Sequence, residues 1–288
     1  MRVVRSPAEL ERTPRAAALG TFDGVHVGHQ AVVRAAVESG LAPTVLTFDP
    51  HPREVLGNRV ELLATLERRL ELLAELGVAE TLVVEFTPAL ARLTPEEFAD
   101  SYLESIGVEL VVAGEEFRFG RHRLGDLELL GELGFGTKVV PHVAGVSSSD
   151  IRRLLSEGEV GAAASMLGRA PEVEGVVVSG DARGGTLGFP TANLRVEQSL
   201  LVPRFGIYAG SALAHRAAVS IGVNPHYGGA ERRVEAFLLD FEGDLYGKRL
   251  VVSLWERLRD EAAFGSESEL VAQIERDVAA ARAAEPPL

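Results

Sequence analysis

The chain has 288 residues, 46% of them hydrophobic and 25% charged, which is enough for two globular domains with separate cores and too apolar for disorder. A formal net charge of −13 argues against a nonspecific nucleic-acid binder, because that role needs a basic surface to displace phosphate counterions. The absence of cysteine removes disulfides, thiolate metal sites and iron–sulfur chemistry, and is compatible with a reducing compartment.

The first fifteen residues hold only a Val pair before charges and prolines intervene, so they lack the apolar core of a signal peptide. No later stretch approaches the ~18 apolar residues of a membrane span, and a soluble cytoplasmic protein without a membrane partner is expected. Short apolar runs at residues 16–22, 45–48, 82–86, 110–113 and 139–143 read as strands buried on both faces. Helical patterns lie between them. Residues 31–39 stop at Gly40 and residues 62–76 at Gly77, while Thr94, Pro95 and Glu97 supply an N-cap, a first-turn proline and a capping-box acid. The alternation predicts an α/β fold, a doubly wound parallel sheet with helices on both faces.

After Arg169 the pattern changes to short strands separated by glycines, at residues 173–179, 206–213, 217–221, 233–241 and 250–256, with one sustained helix at 267–283. Two domains follow, residues 1–169 and a β-rich domain of residues 170–288.

The run GTFDGVHVGH, Gly20 to His29, falls where the first strand should turn into the first helix, the ligand crevice of an open α/β sheet. Gly20, Gly24 and Gly28 allow close backbone approach, and Phe22 and Asp23 sit between them. His26 and His29 are one helical turn apart beside a positive helix end, which suits a phosphate. Two preorganised imidazole donors there would stabilise the charge that builds on an α-phosphorus during AMP transfer, whereas a metal site lacks further ligands beyond Asp23. Ser147, Ser148 and Arg152 lie at a later loop-to-helix junction and suit a triphosphate, although serine at a helix start is commonly a cap alone. Between these, a Gly-bounded loop carries Phe117, Arg118, Phe119, Arg121 and Arg123, suited to an aromatic ring system or a phosphate, or equally to a solvated basic loop. Asp49, Pro50, His51 and Pro52 follow the second strand toward the same crevice, and a rigid proline loop explains them equally well.

In the second half, Gly180, Arg183 and Gly188 belong to a glycine-rich loop that runs into Pro190, Thr191, Ala192 and Asn193. Thr191 and Asn193 offer the hard oxygen donors that Mg²⁺ accepts beside nucleotide phosphates, and a plain turn would use the same residues for local hydrogen bonds. Glu235, within a strand pattern, is placed to take a proton from an attacking hydroxyl if it is not simply solvated.

GTFDGVHVGH, TFDPHP, GEEFRFG and VSSSDIR in this order, followed by LGFPTANL, PRFGIYAG, SIGVNP and VEAFLLDFEGDLYGK, resemble the bacterial bifunctional riboflavin kinase/FMN adenylyltransferases, also called FAD synthetases. The resemblance covers nearly the whole chain. It implies an HxGH-type nucleotidyltransferase domain and a small six-stranded antiparallel riboflavin kinase barrel with a C-terminal helix. His26 and His29 would meet ATP phosphates, with Gly20, Phe22, Asp23, Gly24, Gly28, Ser147, Ser148 and Arg152 around the nucleotide. Asp49, His51, Pro52, Phe117, Arg118 and Arg121 would face the flavin. In the barrel, Gly180, Arg183, Gly188 and Pro190 would hold ATP, Thr191 and Asn193 Mg²⁺, and Glu235 would be the catalytic base. The substrates implied are ATP, riboflavin and FMN. Phe237 stands where the family commonly has His, Gly185 where a basic residue is usual, and Ser220 and His226 replace the common Asn and Thr; Glu116 and Ala170-Pro171 depart similarly. Two other readings stay open: an adenylyltransferase whose second domain only binds or senses flavin, and a nucleotidyltransferase for another phosphorylated metabolite.

Overall fold

A computed structural model describes residues 1–180, 187–223 and 232–287. The chain divides into two units, Met1–Ser147 and Ser148–Leu288.

In the first unit, β1 (Arg2–Val4), β2 (Arg15–Leu19), β3 (Ala42–Asp49), β4 (Glu80–Glu85), β5 (Val108–Gly114) and β6 (Gly136–Val140) form one sheet in the order β1-β4-β3-β2-β5-β6, with parallel pairing throughout. Neighbouring residues of a strand point to opposite faces, so Ala17, Leu19, Leu46 and Val111 enter one core while Ala16, Ala18, Val45 and Val112 enter another. Helix α1 (Val27–Val37) and helix α3 (Leu66–Glu75), which follows the short α2 (Pro52–Val55), cover the second core with Val32, Val33, Leu72 and Leu73. The first is covered by Phe98 of α4 (Pro95–Phe98), by Leu103 and Ile106 just after it, and by Leu127 and Leu130 of α5 (Leu127–Glu132). The doubly wound arrangement anticipated from the apolar runs is therefore present. The chain leaves β2 on one side toward β3 and β4 and returns on the other side with β5 and β6, so the order reverses beside β2.

Several boundaries move for local reasons. β2 ends at Leu19 because Phe22, Gly24 and Val25 adopt positive φ (52°, 79° and 43°), which no strand tolerates. Helix α3 begins at Leu66, not near Leu62, because Thr65 caps it by accepting the Arg68 N–H at 3.1 Å. β6 stops at Val140, since Pro141 has no N–H for the ladder. The Thr94/Glu97 capping box forms as expected.

The second unit opens with α6 (Ser148–Glu157) and α7 (Val160–Leu167). A closed antiparallel barrel follows, built from β7 (Glu172–Val178), β8 (Ala192–Arg195), β9 (Gly206–Ala212), β10 (His215–Val223), β11 (Arg232–Leu238) and β12 (Arg249–Arg259) in the order β10-β11-β8-β7-β12-β9. Alternate residues fill it: Val219 and Ile221, Val234 and Ala236, Val252 and Leu254 are all buried. The C-terminal helix α8 (Glu267–Ala283) packs Ala281 against Ala209 on the outside, and Asp277 on it is held by Arg259 of β12 at 2.6 Å. β1 and β8 had no counterpart among the strand patterns.

Candidate active sites

In the first unit the histidine loop and the Asp49–Pro52 turn are tied together through Arg69, and in the second PTAN meets Glu235 on the barrel. In the first unit the loop from Gly20 to His26 connects β2 to α1 at the C-terminal edge of the sheet, beside the reversal in strand order. His26 is the N-cap of α1, its Nδ1 accepting the His29 N–H at 3.3 Å. That bond requires a lone pair on Nδ1, so a neutral His26 carries its proton on Nε2. The two imidazoles stack with ring centroids 3.6 Å apart and 18° between planes, and Phe22 meets His29 edge-on at 5.3 Å. His29 Nδ1 is shielded and has no hydrogen-bond partner among the described residues. Burial, then the charges of His26 and Arg69, push His29 well below the usual histidine range. His29 is thus neutral at neutral pH. Because a protonated Nδ1 would be a buried donor without an acceptor, the stable neutral tautomer presents Nε2–H.

Side chains at the glycines here would crowd their neighbours. A Cβ on Gly28 would lie 3.2 Å from the Cε1 and Nδ1 of His26, and one on Gly24 would lie 2.8 Å from Leu63. Gly20 is similarly overlaid by the Phe22 ring. Phe22 itself is a core side chain, 1% exposed, so what it offers the crevice is its backbone and its edge against His29. Asp23 is buried as well, and its carboxylate accepts the Leu63 N–H at 2.9 Å, pinning the loop to the segment before α3.

Asp49 ends β3, and His51 caps α2 by accepting the Arg53 N–H at 3.2 Å with Pro52 as first helical residue. Asp49 also approaches Arg5 at 4.0 Å. Beyond β5, Phe117 stacks on Phe119 at 5.6 Å, and Phe119 is clamped by reciprocal backbone bonds to Gly125, both 2.9 Å. Phe119 belongs to the aromatic core with Phe98, while Phe117 is partly buried above it. Arg118, Arg121 and Arg123 are exposed. Ser147 ends the first unit, whereas Ser148 starts α6 and Arg152 lies one turn along it in the second.

One residue at the first site was missed by motif reading. Arg69 of α3 is 5% exposed, donates to Thr21 O at 2.7 Å and to Phe48 O at 3.0 Å, and so grips the ends of both motif loops. A signal existed: Leu72 and Leu73, three and four residues on, are both core residues, which puts Arg69 on the inward face.

In the second unit β8 runs between β7 and β11, and Asn193 is in register with Val178 on one side and Glu235 on the other. Glu235 is likewise opposite Ser220 of β10. Directly paired residues share a face, and on β11 the buried positions are Val234, Ala236 and Leu238. Glu235 and Phe237 therefore project from the outside of the barrel with Asn193. Gly180 lies against the Asn193 amide, where a Cβ would come within 2.3 Å of Nδ2. The Asn193 amide donates to Thr191 O at 3.4 Å, and Phe189 meets Phe237 edge-on at 5.5 Å. Arg233 Nε donates to the Glu235 carboxylate at 2.6 Å. Gly188 has a φ of +89° with open space around it, next to Pro190. Arg183, Gly185 and His226 lie outside the described residues.

The donor set fits Mg²⁺. Among the described residues no group of three His, Cys, Asp or Glu is gathered as a metal cage. The Asn193 amide oxygen, with Glu235 opposite it and the Thr191 hydroxyl two residues away in the chain, is instead the start of a sparse oxygen set of the kind that leaves room for phosphates and water.

Comparison with known proteins covers both sites. The family model of FAD synthetase matches residues 9–152 and that of riboflavin kinase residues 167–284. A bifunctional riboflavin kinase/FMN adenylyltransferase of Listeria monocytogenes is 39% identical over 90% of this chain and 89% of its own length. One from Bacillus subtilis is 36% identical over 93% of this chain and 91% of its own length. A crystal structure described as a macrolide-efflux protein from Streptococcus pneumoniae superposes over 98% of both chains with a TM-score of 0.87 at 30% identity. That efflux description concerns the other protein; among the described residues here no helix is long and apolar enough to cross a membrane. With both family models in order along the sequence and relatives aligned over nearly its full length, this chain belongs to the family of bifunctional riboflavin kinase/FMN adenylyltransferases.

Proposed function

We propose that the chain makes FAD in two steps, phosphorylating riboflavin to FMN on the barrel and transferring AMP from a second ATP onto FMN at the parallel sheet. The observation that carries the first-unit assignment is the stacked His26/His29 pair at the start of α1. During adenylyl transfer a phosphate oxygen of FMN bonds to the α-phosphorus of ATP, the bond from that phosphorus to the bridging oxygen breaks, and pyrophosphate leaves. Both rings can present Nε2–H, so the pair acts as two fixed donors for the oxygens that gain charge. Gly20, Phe22, Asp23, Gly24 and Gly28 are assigned to this ATP, and by the family resemblance so are Ser147, Ser148 and Arg152. Asp49, His51, Pro52, Phe117, Arg118 and Arg121 are assigned to the flavin nucleotide.

On the barrel, a riboflavin hydroxyl attacks the γ-phosphorus of ATP, Glu235 takes its proton, and ADP departs. Asn193, in register with Glu235, and Thr191 would hold Mg²⁺, which would neutralise phosphate charge when bound. Gly180, Arg183, Gly188 and Pro190 are assigned to that ATP. The Arg233–Glu235 ion pair holds the base in place and must loosen for proton transfer. The gathering of Gly180, Asn193 and Glu235 at one place speaks against a barrel that only senses flavin, and the riboflavin kinase match speaks against another metabolite. We assign residues 1–169 to the adenylyltransferase and 170–288 to the kinase, both working on small molecules in the cytoplasm.

The test is to incubate riboflavin, ATP and Mg²⁺ with purified variants and separate the flavins. His29→Ala should stop at FMN, with FAD formation down about 100- to 1000-fold. Asn193→Ala should block FMN formation yet adenylylate supplied FMN normally. If both folded variants lose both activities, the two-site assignment fails.

A further inference from the structure

Arg69 stands out once the motif residues are accounted for. Lys and Arg are rarely fully buried without a purpose, and this guanidinium is 5% exposed, spends its Nη groups on two backbone carbonyls, and leaves Nε shielded without a partner among the described residues. The two carbonyls are informative. Thr21 belongs to the loop that ends at His26 and leads into His29 of α1, and Phe48 immediately precedes the Asp49-Pro50-His51-Pro52 turn. Thr47 Oγ1 donates to the same Thr21 O at 3.0 Å, so the β2 and β3 ends are cross-tied at one oxygen. Removing a charge from water is expensive, and here Asp23 and Asp49, one from each loop, offset that cost electrostatically.

We infer that Arg69 is a positioning residue for adenylyl transfer, its buried guanidinium locking the histidine loop to the Asp49–His51 turn so that the two imidazoles and the flavin side of the crevice keep a fixed separation. The inference rests on the assignment of His26 and His29 to the ATP phosphates. A hydrophobic residue of similar length would fill the space but leave the Thr21 and Phe48 carbonyls without this donor and the two acidic groups without its charge. Lysine would restore the charge and one donor group without the fork that spans both carbonyls.

The groups acting on His29 are its stacked neighbour His26 and Arg69, and both lower its proton affinity in addition to burial. Arg69 therefore also helps keep His29 neutral, so removing its charge should raise the pH at which His29 titrates.

The experiment compares full-length Arg69→Met, Arg69→Lys and His29→Ala, measuring FMN adenylylation, riboflavin phosphorylation and the NMR titration of the His29 ring. Expected for Arg69→Met is a loss of about 10- to 100-fold in kcat, the scale of a misplacement near 1 Å, with little change in KM for ATP and normal riboflavin phosphorylation. Its His29 should titrate closer to the ordinary histidine value, and Arg69→Lys should recover part of the kcat and most of the titration shift. Full adenylylation by Arg69→Met beside an inactive His29→Ala overturns the role of Arg69 and leaves the histidines standing. A loss in Arg69→Met that Lys does not relieve, with His29 titrating as in the parent, overturns it as well by showing only a packing defect. Full activity in His29→Ala overturns both assignments.

Discussion

Gly28→Ala separates stability from catalysis at the imidazole pair. The added Cβ would sit 3.2 Å from both Cε1 and Nδ1 of His26, close enough that the ring must yield by a few tenths of an ångström. That ring has little freedom. On one side it stacks at 3.6 Å on His29, and its Nδ1 already accepts the His29 N–H at a long 3.3 Å. Displacement therefore either compresses the stack or stretches the cap bond past useful length. Thermodynamically the change is nearly neutral: alanine in place of glycine in α1 contributes up to about 1 kcal/mol, and a weakened cap costs about the same. The melting temperature should stay within about 4 °C of the parent. Catalysis has no such offset, because the donors must sit where charge develops, and FMN adenylylation should fall about 10-fold or more. Riboflavin phosphorylation in the same tube should be unchanged. If Gly28→Ala makes FAD from FMN within twofold of the parent rate, the claim that the pair is held at working geometry by the first turn of α1 is wrong.

Two further outcomes follow from the same reasoning. Because His29 is pushed below its ordinary value, the unfolded chain binds a proton that the folded one refuses once the pH drops below about 6.5. Stability should therefore fall with acid by up to about 1.4 kcal/mol per pH unit in that window and less steeply in His29→Gln; parallel denaturation profiles from pH 7 to 5 would refute this. At the barrel, Gly180→Ala places a Cβ within 2.3 Å of the Asn193 amide and should cut riboflavin phosphorylation about 100-fold while sparing adenylylation of supplied FMN, and normal FMN formation would remove Asn193 from the site.

What could be foreseen from the sequence depended on how local the cause was. The Thr94-Pro95-Glu97 capping box and the span of α8 are written in contiguous residues, so they were legible. The strands of the parallel sheet announce themselves as apolar runs because both faces are buried. β8 does not, since Ala192–Arg195 alternates apolar and polar over only four residues straight after a proline turn, and its pairing with β7 and β11 is what makes it a strand. That pairing is what puts Asn193 opposite Glu235, so the motif PTAN revealed the residues but not their arrangement. The start of α1 escaped for another reason: imidazole is not among the usual N-caps, and His26 takes the role only because the loop's positive-φ residues turn its Nδ1 back onto the His29 amide.

The histidine site shows the same division more sharply. Motif spacing identifies His26 and His29, but what makes them useful is that the rings are stacked in a fixed place with His29 kept from protonating, and part of this comes from groups distant in the chain. The Leu63 side chain packs where a Cβ on Gly24 would have to go, the Leu63 N–H donates to Asp23, and Arg69 grips Thr21 and Phe48 from α3. In sequence, Arg69 sits beside Arg68 in a charged stretch; Arg68 is partly buried and pairs with Glu71, while Arg69 is buried. Charge alone makes the two indistinguishable, and only the phase of Leu72 and Leu73 separates them. A motif thus names the groups that meet the substrate, while the helix phase behind it determines whether those groups are held as donors.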